Sequence, residues 1–115
     1  MTVEKDYTPA TYNTPQFADR MADVFRRHFG TDRVRHRPAV MGGEDFSQYY
    51  RADNRIESLI FWVGGVAPDK MAAAQAGTLK LPSLHSPLFA PDAEAVIGTA
   101  SKALTVAALD VLKRQ

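Results

Sequence analysis

Ile56-Glu57-Ser58-Leu59-Ile60-Phe61-Trp62-Val63 is the stretch on which the fold turns. Its last five residues, Leu59 to Val63, form the longest unbroken apolar run in a chain of 115 residues. A strand with one wet face alternates apolar and polar side chains, whereas a continuous run implies burial on both faces. Gly64-Gly65 then stops the run abruptly. The stretch therefore predicts a buried strand over 56–63, and with it an α/β fold.

Upstream, Asn13-Thr14-Pro15 reads as a helix start, a cap-type residue followed by proline at the first position. Phe17, Met21, Val24, Phe25 and His28 follow at helical spacing and Gly30 ends the run, predicting a helix over about 14–29. The dozen residues before it, with Pro9 among them, suit a short extended piece. Arg33-Val34-Arg35-His36-Arg37-Pro38 alternates like an exposed strand or connector, and Phe46, Tyr49 and Tyr50 suit a short helix behind Glu44-Asp45. Downstream, Pro68-Asp69 opens an alanine-rich helix to about Gln75, closed by Gly77, and Leu79 to Phe89 reads as an ordered loop. Asp92 caps a long helix to about Lys113 whose expected buried stripe is Ile97, Ala100, Leu104, Ala108 and Val111.

Composition narrows the function classes. A hydrophobic content of 45%, a charged content of 23% and a mean hydropathy of -0.25 describe a globular chain rather than a disordered one. The apolar run is too short for a membrane span, and the first residues carry no apolar signal core, so a cytoplasmic location is the default expectation. Net charge is +1, which gives no global pull toward nucleic acid. With no cysteine, disulfide scaffolds, thiol nucleophiles and zinc-thiolate sites are excluded.

Three features could carry chemistry. In Met41-Gly42-Gly43-Glu44-Asp45-Phe46, paired glycines let a backbone pass close to another group, and adjacent carboxylates could face a metal, an amine or a water. The bland alternative is a turn with first-turn acids that favour the helix dipole. In Leu84-His85-Ser86-Pro87, with Pro82 just before it, a histidine is held between prolines; imidazole is a common metal ligand and proton carrier, and also a common structural residue. Arg26, Arg27, Arg33, Arg35 and Arg37 place five of the fourteen basic side chains within twelve residues. They could grip phosphates, yet no aromatic ring sits among the alternating arginines to stack a base, and a solvated helix end reads as well.

Taken in order, Tyr7-x-Pro9, Asn13, the Gly42-Gly43-Glu44-Asp45-Phe46 motif, Phe61-Trp62-Val63-Gly64-Gly65 and Leu84-His85-Ser86-Pro87 resemble the carboxy-terminal part of one family. That family is the metal-dependent amidohydrolases, the hippurate hydrolase and N-acyl amino acid amidohydrolase branch of the aminoacylase/carboxypeptidase metallopeptidases. The resemblance implies the C-terminal part of a three-layer αβα catalytic domain over 13–115, with residues 1–12 as the last strand of a lid domain and its crossing. It implies a pair of divalent ions (manganese, zinc or cobalt) in the complete enzyme, with water activated for attack on an amide carbon. His85 matches the family's last metal-ligating histidine, while Gly43, Glu44 and Asp45 match a motif beside the pocket.

The family's remaining ligands, a cysteine among them, have no counterpart here, so the resemblance implies a chain that is inactive alone and binds few or no ions by itself. The expected function is thus that of a fragment of a hydrolase of N-acyl amino acids, with homo-oligomerisation or docking on a missing amino-terminal part. The alternatives are a non-enzymatic remnant that self-associates or docks on a partner and, last, nucleic-acid binding through Arg26–Arg37.

Overall fold

The computed structural model describes residues 7–42 and 44–113. Four α-helices appear: α1 (Pro15–Phe29), α2 (Gln48–Ala52), α3 (Pro68–Gln75) and α4 (Ala93–Leu112), with 3₁₀ turns at Thr31–Arg33 and Asp45–Ser47. The chain divides into one unit of residues 1–61 with 106–115, and a second of residues 62–105.

The expected α/β architecture is overturned: among the described residues there is no strand and no sheet. Residues 57–65 are neither helix nor ladder, and the lid strand expected within residues 1–12 finds no ladder partner in its described part, residues 7–12. The physical reason lies in what a strand requires, which is a neighbouring backbone. Here the neighbour is the Asn13 side chain together with the N–H and hydroxyl of Thr14. The Asn13 amide donates from Nδ2 to the Ile60 carbonyl at 2.9 Å and accepts from the Ile60 N–H at Oδ1 at 2.8 Å. At the next residue, the Thr14 N–H donates to the Ser58 carbonyl at 2.9 Å, and the Ser58 N–H donates to Thr14 Oγ1 at 3.0 Å. Ser58 and Ile60 are two residues apart and so present their polar groups along one edge of an extended segment. A primary amide carries the same donor and acceptor as a peptide group, so Asn13 substitutes for one residue of a paired strand. Two residues of clamp do not make a ladder.

Asn13→Ala removes two bonds to the 57–65 segment, and the expected loss is about 1–2 kcal/mol, read as a shift in the urea unfolding midpoint. An unchanged midpoint would show that water replaces the clamp without cost.

The helices themselves follow local chemistry. Pro15 and Pro68 occupy first-turn positions of α1 and α3, where the missing N–H is no loss. Gly30 ends α1 at φ 96°, with its N–H bonded to the Arg26 carbonyl. Gly77, at φ 76°, ends α3 in a paired-bond stop: its N–H reaches the Ala74 carbonyl at 3.1 Å, and the Thr78 N–H reaches the Ala73 carbonyl at 3.0 Å. Asp92 caps α4 as expected, Oδ1 accepting from the Ala95 N–H at 3.3 Å.

In the first unit, Met21, Val24 and Phe25 of α1 are buried together with Val106, and the Phe25 ring lies 5.0 Å from that of Phe61. Ser47 is also buried, at 1% exposure, and its hydroxyl has no hydrogen-bond partner. An unpaired buried hydroxyl opposes folding, so Ser47→Ala is expected to raise stability by about 1 kcal/mol in the same unfolding measurement. A loss instead would mean that the hydroxyl is paired in solution.

The stripe expected for α4 is also corrected. Ala103 and Val106 are the buried residues, with Val96, Ala100, Ala107 and Asp110 half-buried. Ile97, Leu104 and Val111 are exposed, at 65%, 61% and 39%, and Ala108 is exposed with them. Apolar residues surround this helix on nearly all sides, so spacing alone does not choose its inner face. A polar contact chooses it: Arg20 of α1 donates from Nε to Asp110 at 2.7 Å and from a terminal nitrogen to the Asp110 carbonyl at 3.2 Å. Asp110 lies four residues beyond Val106 and seven beyond Ala103, on their face of the helix. By length and composition α4 could cross a membrane, with a mean hydropathy of 1.5. The Arg20–Asp110 pair ties its last turns to α1.

Candidate functional site

Glu44 and Asp45 belong to the first unit, at the start of the short turn-and-helix segment 45–52. Glu44 stands at the cap position with extended backbone, and its Oε1 accepts from the Phe46 N–H at 3.3 Å. Asp45 occupies the first turn and is exposed. Both carboxylates therefore stand where they offset the unpaired N–H groups of a helix start. Gly43 lies outside the described residues. Just beyond the segment, the Asp53 carboxylate accepts from the Arg55 N–H at 2.9 Å and pairs with its guanidinium at 2.6 Å. This holds the Asp53 carboxyl below its ordinary value.

His85 belongs to the second unit and sits in a tight turn. The Ser86 N–H bonds to the Ser83 carbonyl at 3.1 Å, the Phe89 N–H to the Ser86 carbonyl at 3.0 Å, and the Leu88 N–H to Ser86 Oγ at 3.2 Å. Its φ is 68°, making it the one non-glycine residue in left-handed backbone among the described residues. Histidine tolerates that region better than branched residues do, but it still carries strain, and strain of this kind gathers at working sites. The imidazole is exposed to solvent.

A metal centre needs several nitrogen, oxygen or sulfur ligands around each ion. Among the described residues, no three His, Asp or Glu side chains converge closely enough to hold one. The described residues thus do not by themselves make a two-metal hydrolytic centre, and no catalytic step follows from them alone.

The basic stretch is partly neutralised. Arg26 pairs with Asp23 at 2.8 Å, Arg33 approaches Asp32 at 3.8 Å, and Arg27 reaches Asp110 at 4.0 Å. Arg35, His36 and Arg37 remain on an exposed irregular segment. Sequence reasoning placed Asn13 at a helix start and missed its grip on Ile60. The signal for that grip is a contact across 47 positions, which no local spacing carries. The chain matches no family model, no curated protein and no solved structure.

Proposed function

We propose that this chain is one part of a metal-dependent hydrolase of N-acyl amino acids or similar amides, and that it contributes His85 to a centre whose other ligands lie on another polypeptide segment. The motif order from Tyr7 to Pro87 is the basis for the chemistry. The observation that carries the incompleteness is the second unit, residues 62–105. It buries a single apolar side chain, Ala103, and holds out its one histidine on a strained turn. A working domain of this size normally encloses a core of its own. Trp62, Leu88, Ile97 and Leu104 of the same unit are exposed instead, apolar surface of the kind a neighbour would cover.

The isolated chain is expected to release no amine from N-acyl amino acids when supplied with manganese, zinc or cobalt. Co-expression with an amino-terminal hydrolase segment that supplies the remaining ligands is expected to yield a complex with metal-dependent amidase activity. His85→Asn in that complex is expected to abolish turnover while leaving assembly intact, because asparagine also accepts left-handed backbone. Turnover by the isolated chain, or a complex whose rate ignores His85→Asn, would overturn the reading.

A non-enzymatic chain that self-associates or docks on a partner is the second reading. The same uncovered apolar surface favours it, and a complex without amidase activity is its signature.

A further inference from the structure

We infer that a cleft within the second unit binds a small amphipathic carboxylate, a site separate from His85 and independent of any metal. The cleft has a volume of about 420 Å³ and lies between α3, the segment after it and the approach to α4. That size falls within the range of small-molecule pockets. Val66, Leu79, Leu88 and Phe89 give it apolar walls, and Lys70 and Lys80 are the two basic residues that line the same cleft. Leu88 is 79% exposed, so a ligand's apolar body would remove surface that the fold leaves in water.

The charge balance selects the sign of the ligand. Among the described residues neither lysine has an ion-pair partner. The acid that also lines the cleft, Asp92, is already engaged: its carboxylate caps α4 through the Ala95 N–H. Two cations against one committed carboxylate leave a place for an anion.

The rest of the lining selects its kind. A phosphate is best held by guanidinium forks, and no arginine lines this cleft. A divalent cation is repelled by the lysines. A single carboxylate on an apolar tail meets both the walls and the charge. The close approach at Gly65 supports a fixed shape: a Cβ there would stand 3.4 Å from Pro91 and 3.7 Å from the Phe89 ring, and the Gly65 carbonyl accepts from the Asp92 N–H at 3.0 Å. The loop that carries Phe89 is thereby pinned to the strip that carries Val66.

The experiment is an NMR titration of the full chain with octanoate, with octanamide as the uncharged control. Saturable shifts are expected at the backbone amides of residues 79–81 and 88–92. Octanoate is expected to bind about tenfold more tightly than octanamide, the ratio that one charge-assisted contact supplies. In the Lys70→Gln/Lys80→Gln variant the two ligands should bind alike. Both lysines are on the surface, so the variant keeps the fold, and its unperturbed amide spectrum checks this. Equal affinity of the two ligands for the unsubstituted chain, shifts confined to other regions, or no saturation would overturn the inference. None of these outcomes bears on the amidase reading, which His85→Asn tests separately.

Discussion

Met21→Ala is expected to abolish cooperative unfolding of the first unit. Met21 is 0% exposed, and within the first unit only Pro9, Val24, Phe25 and Val106 join it as buried apolar side chains among the described residues. Removing a buried methionine side chain costs about 2–5 kcal/mol through lost transfer energy and the cavity left behind. An ordinary domain has about 5–15 kcal/mol in total, and a core this small belongs at the bottom of that range. The loss is therefore comparable with the whole stability. Thermal melting followed by circular dichroism should show a sloping, non-cooperative signal for Met21→Ala. Met21→Leu conserves volume and should stay within about 1.5 kcal/mol of the parent, with its transition intact. A sharp parental transition in Met21→Ala would mean that the stability resides elsewhere than around α1.

The contrast between α1 and residues 56–63 shows what a sequence can carry. For α1, the proline at its start, the glycine at its end and the spacing of Met21, Val24 and Phe25 all act within a few residues of each other, and the helix is found where they place it. The same holds for α3 with Pro68 and Gly77, and for the Asp92 cap of α4. The run Leu59–Val63 states that the segment is apolar but not that a neighbouring backbone is available to pair with it. In its place stand the Asn13 side chain and the N–H and hydroxyl of Thr14, and Trp62 is left 70% exposed. The rotation of α4 was hidden for a related reason. Its outward Ile97–Leu104–Val111 series is as regular as its inward one, and the Arg20–Asp110 pair that decides between them spans 90 positions. At the candidate site, the sequence singled out His85 by its flanking prolines but held no sign of its left-handed backbone. The Glu44-Asp45 pair was legible both as acids at a helix start and as a candidate site, and the structure uses Glu44 in the first way.

The outward face of α4 carries the second large effect. Ile97, Leu104 and Val111 recur every seven residues along one side of a helix that is surrounded mainly by water. Apolar surface of this extent drives association, at about 25 cal/mol for each Å² removed from water. Sedimentation at rising concentration should therefore show species heavier than the 12.7-kDa monomer. Ile97→Glu/Leu104→Glu should return the chain to monomer. The substitutions touch exposed positions, so stability should move by no more than about 0.5 kcal/mol at each, and helix content should persist because glutamate is a good helix former. Charge on that face raises the desolvation cost of burying it and so opposes every apolar partner, whether a second copy or a different polypeptide. The same variant is thus expected to lose both self-association and docking on the amino-terminal segment proposed above. Loss of one without the other would assign the α4 face to that partner alone. A monodisperse parent at high concentration would mean that the face is stable in water, and the cover required by the second unit would then have to lie over Trp62 and Leu88 instead.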